Sequence, residues 1–246
     1  RSEGSISDIR LAAAFAVNRW LSLGLGGHAF SGNDAITTVR LFDDTVRYRE
    51  DAQRSVIGFG GNAVSVGAIA TIARIGALGV SYRRGGSMNA YAGDAVVGSG
   101  RVPDHMGVSV LYLGIRGTTI AARAARDGWS EMQGIGRTLN IHERWDIGVG
   151  ADVTGPRFLG SAIDLRAGGR WRTLPFSVDG NPVEEQTWSA GFMLPMGRLI
   201  GTTRSVELNF GALHSSRTSA GIPGPAGLIP VSESSWTIST GFSVRP

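Results

Sequence analysis

The chain contains no cysteine and no lysine, so all 24 of its basic Lys+Arg positions are arginine. The first absence excludes disulfide scaffolds, thiolate metal sites and thiol nucleophiles. The second excludes Schiff-base and other amine chemistry. Charged residues make up 18% of the 246 positions and the formal net charge is only +4, while 42% of residues are hydrophobic, a balance that argues against intrinsic disorder. Long apolar runs are missing as well. The longest are broken by Gly, Ser or Arg well short of the ~18 residues that a membrane-spanning helix needs. The opening residues carry no basic-then-apolar leader, which by itself says nothing of compartment.

What the sequence does have is glycine, 37 residues of it, and a period of two. Between Arg144 and Val153 the residues Trp145, Ile147, Val149, Ala151 and Val153 alternate with Arg144, Asp146, Gly148, Gly150 and Asp152. The next segment repeats the pattern, with Ile163, Leu165, Ala167, Gly169 and Trp171 opposing Asp164, Arg166, Gly168, Arg170 and Arg172. Near the end, Trp236, Ile238, Thr240, Phe242 and Val244 oppose Ser235, Thr237, Ser239, Gly241 and Ser243. A helix would mix these sets, whereas a strand sends them to opposite faces. The same template predicts eleven strands, near 8–17, 20–31, 54–68, 72–84, 105–115, 117–128, 144–154, 160–173, 186–196, 204–214 and 234–245. The alanine content of Thr118 to Arg126 also fits a helix there.

Connections alternate strictly. Short ones fall at Asn18-Arg19, Ile69 to Thr71, Arg116, Gly155 to Leu159 and Gly197 to Thr203, and long ones at Gly32 to Gln53, Gly85 to Asp104, Gly128 to Glu143, Leu174 to Glu185 and Ser215 to Glu233. Such alternation places every long loop at one end of an up-and-down meander. A soluble sandwich would share the period of two, but three features favour a bilayer. Trp20, Trp145, Trp171, Trp188 and Trp236 sit near strand ends on the apolar face, as an interfacial girdle would. The strands are long enough to cross at a tilt. The opposite face is crowded with Arg123, Arg166, Arg170, Arg172, Asp146, Asp152 and Asp164, which a wet lumen tolerates. The expected fold is therefore all-β, an antiparallel up-and-down transmembrane β-barrel forming a single domain over residues 1–246.

Several stretches resemble the FadL/TodX family of outer-membrane transporters for long-chain fatty acids and other hydrophobic compounds. They are SVGAIATIARIGALGVSYRRGG (65–86), VPDHMGVSVLYLGIRGTTIAARAARDGWSEM (102–132), RAGGRWRTLPF (166–176), WSAGFMLPMG (188–197) and WTISTGFSVRP (236–246). The first is similar to that family's strand, tight basic turn and Gly-Leu-Ser-Tyr-like strand; the second resembles its Pro-Asp strand entry and a strand closing on Trp-Ser. The resemblance implies outer-membrane transport of a hydrophobic solute in a Gram-negative bacterium. It departs in two ways: the family's N-terminal hatch with an Asn-Pro-Ala start has no counterpart here, and the family barrel has fourteen strands against eleven visible of an expected twelve to fourteen. An odd count also places strand one parallel to the last, which implies upstream strands, or a partner chain, completing the barrel.

No constellation of catalytic residues stands out in the sequence. His28, His105, His142 and His214 lie near strand ends or in loops without a metal-ligand spacing. Asp43-Asp44 reads as a turn pair rather than as an acid/base dyad with His105 or His142. Gly58-Phe59-Gly60-Gly61 is followed by no phosphate-loop Lys-Ser/Thr. The expectation is a non-enzyme with no cofactor and no metal. The arginines alternate along strands rather than forming a basic block, so nucleic acid is not an expected partner. Arg83-Arg84 reads as a rim pair that could meet lipopolysaccharide phosphates. Arg166, Arg170 and Arg172 are expected to pair with Asp146, Asp152 and Asp164 across adjoining strands, with any unpaired members guiding a carboxylate. The long loops carry more apolar residues than solvated loops need, and Phe30, Leu41, Phe42, Met88, Tyr91, Leu228 and Ile229 are the expected ligand-binding surface. A general porin and a structural or secretion-associated barrel are the alternative readings.

Overall fold

A computed structural model of the chain describes residues 2–40, 51–72, 74–135, 141–158, 161–178, 180–198, 205–224 and 227–245. Twelve strands account for nearly all of them: β1 (Ser2–Ala16), β2 (Leu21–Arg40), β3 (Asp51–Ile72), β4 (Gly76–Ala92), β5 (Ala95–Arg101), β6 (His105–Tyr112), β7 (Thr118–Asp127), β8 (Arg144–Phe158), β9 (Ser161–Val178), β10 (Asn181–Arg198), β11 (Ser205–Gly224) and β12 (Gly227–Arg245). A short 3-10 helix, Trp129–Met132, follows β7. All neighbours pair antiparallel in the order β1-β2-β3-β4-β6-β7-β8-β9-β10-β11-β12, with β5 attached to β4 alone. The wall thus has the eleven positions expected from the alternation, because β5 and β6 share one flank of β4: β6 pairs with Gly76 to Arg83 and β5 with Ser87 to Ala92. The alanine-rich stretch is strand β7, paired on both sides.

Tight turns form where local chemistry demands them. Asn18 Oδ1 accepts the N–H groups of Trp20 and Leu21, each at 2.9 Å, closing the β1–β2 turn. Gly117, with φ of 72°, closes β6–β7, and Gly93, with φ of 61°, closes β4–β5. The β4–β5 hairpin corrects the expectation of a long loop over Gly85 to Asp104. Its Gly93-Asp94 turn lies between extended arms, a two-residue hairpin signal that the glycine-rich composition hides. Similarly β2 runs on to Arg40, β9 to Val178, β11 to Gly224 and β12 starts at Gly227, so these long connections are chiefly hairpin arms that keep pairing beyond the wall.

Between β5 and β6 the chain breaks at Val102-Pro103-Asp104. Proline cannot donate to a ladder, so pairing lapses there. Gly85 permits the crossing, because a Cβ on it would collide with the Val102 carbonyl. Asp104 pins the break by accepting from the Gly85 N–H (2.7 Å) and the Tyr82 hydroxyl (3.0 Å). Burial works against its ionisation, but those two hydrogen bonds and the nearby Arg101 and Arg84 hold its carboxyl below the usual carboxylate value.

Register fixes the two faces. Asp146 opposes Arg172, Ile147 opposes Trp171 and Val149 opposes Gly169, so the apolar and charged sets read from the sequence stay segregated. The apolar set is exposed around the whole wall, with Leu23, Val66, Val80, Val108, Ile147, Leu165, Trp188, Phe210 and Ile238 all among it. Exposure is greatest on the terminal strands, 84% at Leu11 and 81% at Ile238 against 44% at Leu165, because β1 and β12 each lack a neighbour on one side among the described residues. These two edges run parallel, so joining them directly would depart from the antiparallel pattern. Leu165→Arg should destabilise the folded protein by roughly 2–4 kcal/mol, whereas Arg166→Leu should cost much less. A denaturant titration in lipid vesicles checks the ranking, and the reverse order would exchange the faces.

Candidate functional site in the barrel interior

The inner face encloses two cavities of ≈ 1080 and ≈ 940 Å³. Both are bordered by Ile69, Gly79, Ser109, Arg123 and Arg170, which makes them one continuous space. Glycine keeps it open: Gly79, Gly148, Gly150, Gly168, Gly191 and Gly211 line the larger cavity, where any side chain would project into the bore. Part of the high glycine content thus serves the width of the bore.

At the end of the long hairpins an apolar cluster borders the smaller cavity. Met88 (2% exposed), Val102 (2%) and Ala63 are its buried centre, and Phe30, Phe59, Met132 and Ile135 pack against them. Strand β4 brings Met88 in beyond the bulge opposite Gly61, and the Pro103 break turns Val102 onto it. Two of the expected ligand residues, Phe30 and Met88, meet here. Tyr91 lies farther up β4, half-buried over Gly58 and Gly60, with its hydroxyl 3.3 Å from Asn89. Leu41 and Phe42 lie outside the described residues. The backbones of Leu228 and Ile229 pair with Pro223 and Ile222 near the tip of the β11–β12 hairpin. Val102, Phe59, Met132 and Ile135 were not foreseen. Only Pro103, a strand breaker beside an apolar residue, hinted at an inward turn.

Beneath the cluster the wall is ionic. Asp146 is central: Arg170 binds it through Nε (2.8 Å) and Nη2, Arg144 at 3.2 Å and Arg123 at 3.6 Å. Arg144 also reaches Asp127 (3.2 Å), which holds His105 Nδ1 at 2.6 Å. Arg166 pairs with Asp152 at 3.5 Å. Two expected pairings are corrected. Arg172 stands opposite Asp146 in register, yet its guanidinium turns to Glu185 (2.6 Å), which also binds Arg217 (2.6 Å), leaving Asp146 to Arg170. Asp164 is on β9 itself, opposite Thr154 and Met193 rather than an arginine.

Arg83 and Arg84 do not form a rim pair, because successive strand residues take opposite faces. Arg84 is exposed, while Arg83 turns inward, 5.7 Å over the Phe30 ring, with Nη2 donating to the Pro103 carbonyl at 3.2 Å. Of the five arginines that border the cavities, Arg123, Arg144, Arg166 and Arg170 have a carboxylate within 4.0 Å; Arg83 has none among the described residues. One further arrangement went unread in the sequence. His28, whose side chain is 3% exposed, joins Asp8 on β1 to Ser65 on β3. Three strands contribute one residue each, so no local spacing could have revealed it.

An apolar exterior, an ionic interior and strands of up to 22 residues define a transmembrane β-barrel wall. Among solved structures the fold is similar to that of a Pseudomonas aeruginosa FadL homologue, with a TM-score of 0.60, 15% identity, and alignment over 99% of this chain and 68% of that one. It is also similar to the CymD monoaromatic hydrocarbon channel, with a TM-score of 0.55, 14% identity, and alignment over 99% of this chain and 74% of that one. No family model and no characterised protein matches the sequence. The chain thus has the FadL-type barrel fold.

Removing the central carboxylate should cost more than removing a peripheral one. Asp146→Ala leaves Arg123 and Arg170 with no carboxylate within 4.0 Å among the described residues, Arg144 keeping Asp127, and is expected to destabilise by about 1–3 kcal/mol. Asp152→Ala, at a half-exposed pair, should cost under about 1 kcal/mol. Unfolding midpoints of the two variants check this ordering.

Proposed function

We propose that the protein carries hydrophobic small molecules, long-chain fatty acids or aromatic hydrocarbons among them, through the outer membrane of a Gram-negative bacterium. The supporting observation is the apolar cluster of Phe30, Met88, Val102 and Met132 opening onto a continuous, glycine-lined interior. An apolar solute leaves water at that cluster, since burying its surface is favourable at ~25 cal/mol per Å². It then passes into a bore whose charges are largely paired with one another, so the wall offers little to retain it. The two structural neighbours, a FadL homologue and a monoaromatic hydrocarbon channel, fit this reading. Leu41, Phe42, Tyr91, Leu228 and Ile229 extend the entry surface in this proposal, and a further strand or strands, from this polypeptide or a partner, pair with the β1 and β12 edges.

Reconstituted protein should speed entry of a long-chain fatty acid or an aromatic hydrocarbon into lipid vesicles. Phe30→Ser and Phe42→Ser should slow it several-fold. Gly150→Trp should also slow it: a Cβ at Gly150 meets only the Ala167 carbonyl, at 3.5 Å, so a large side chain fits the wall and fills the bore. Unselective salt conductance without such uptake would instead favour the porin reading.

A further inference from the structure

We propose that Ser65, His28 and Asp8 form a nucleophilic site that hydrolyses esters of apolar acyl chains inside the barrel. His28 Nε2 lies 3.0 Å from Ser65 Oγ, and its Nδ1 lies 3.0 and 3.1 Å from the two Asp8 carboxylate oxygens. That is the orientation in which a carboxylate holds one imidazole nitrogen as the donor and leaves the other to take a hydroxyl proton. The ring is buried and stacked on Phe30, 6.1 Å between centroids and 6° from parallel, which fixes its direction.

The surroundings complete the constellation. Gly26 stands directly across from Ser65, and a Cβ there would fall 2.8 Å from Ser65 Oγ. The missing side chain is what lets the hydroxyl lean over β2 to His28. Arg83 stands across from Ser65 on the other side, and its Nε is buried without a hydrogen-bond partner among the described residues. Directly opposed strand residues have Cβ atoms about 5 Å apart, less than the length of an arginine side chain, and in this proposal the Arg83 guanidinium swings from Phe30 and the Pro103 carbonyl to meet an oxyanion formed at Ser65. Asp8, Phe30 and Arg83 border the ≈ 940 Å³ cavity that carries Met88, Val102 and Met132, within the usual size of a ligand pocket, about 300–1,000 Å³, while Ser65 and His28 are outside its lining, so substrate reaches the hydroxyl as Arg83 moves.

The chemistry is acyl transfer to water. Ser65 Oγ attacks the ester carbonyl while His28 takes its proton and Arg83 stabilises the tetrahedral oxyanion. The carbonyl–alkoxy bond breaks, and the alcohol leaves with the proton from His28. A lumen water, deprotonated by His28, then attacks the acyl-serine; the acid departs and Ser65 regains its hydrogen. Asp8 is a positioning residue, holding the tautomer. This activity stands independently of transport, and its readout is separate from uptake.

The test uses protein refolded in detergent, with folding confirmed by heat-dependent gel mobility. A fluorophosphonate should label Ser65, located by mass spectrometry of the digested protein, and p-nitrophenyl octanoate should be hydrolysed. Ser65→Ala should abolish labelling and lower turnover by about 10³-fold or more. Asp8→Asn should lower kcat with KM unchanged, and Asp8→Glu, which keeps the carboxylate, should restore part of it, a split that loss of a mere structural brace would not give. Gly26→Ala, which folds by rotating Ser65 away from His28, should cut labelling at least tenfold. Absence of Ser65 labelling in correctly folded wild-type protein, or hydrolysis unchanged in Ser65→Ala or Gly26→Ala, overturns the proposal.

Discussion

Every feature of this wall depends on one constraint: backbone N–H and C=O groups in a bilayer must be satisfied within the protein, and an antiparallel ladder does this only while side chains alternate between faces. The alternation then forces two solvents on one sequence. Residues such as Ile147, Val149 and Leu165 face lipid, and their immediate neighbours Asp146, Gly148 and Arg166 face the interior. Because a one-residue slip would exchange the faces, the hydrophobic pattern and the register determine each other.

The interior meets its own constraint with charge and glycine. Arginines surround the carboxylates of the inner face, and Asp146 and Glu185 each serve as a hub for more than one guanidinium from neighbouring strands. The hubs tie β7 to β8 and β9, and β9 to β10 and β11, adding side-chain links between strands that the backbone ladder already joins. Glycine removes side chains from several of the remaining inward positions, and Ser109, Thr187 and Ser189 keep others small. The bore is therefore held open by a polar frame, and the apolar contacts gather at one end, where Pro103 breaks the ladder and turns Val102 against Met88 and Phe30.

Much of this was legible in the sequence because the period of two is a local signal. The faces of β8, β9 and β12 followed from alternation alone, and so did the eleven positions of the wall. Strand β5 was hidden because Gly93-Asp94 and Gly98 carry a loop's composition, and composition does not report whether extended arms find each other. Side-chain partnership was less legible still. Arg172 faces Asp146 in register but is captured by Glu185 from the other flank, a competition between strands that no single segment records. The Asp8–His28–Ser65 arrangement depends on register across β1, β2 and β3 together, and on the empty position at Gly26.

The absence of cysteine allows a direct measurement of the central claim, that one face of each strand meets lipid and the other meets water. Single cysteines placed in turn from Ile163 to Arg172 in vesicle-reconstituted protein can be probed with a membrane-impermeant thiol reagent and, after labelling with a fluorophore, with a lipid-confined quencher. The account predicts that the aqueous reagent reaches positions 164, 166, 168, 170 and 172, and that the quencher reaches 163, 165, 167, 169 and 171. Aqueous labelling of both sets alike, with no quenching from lipid at either, would contradict it.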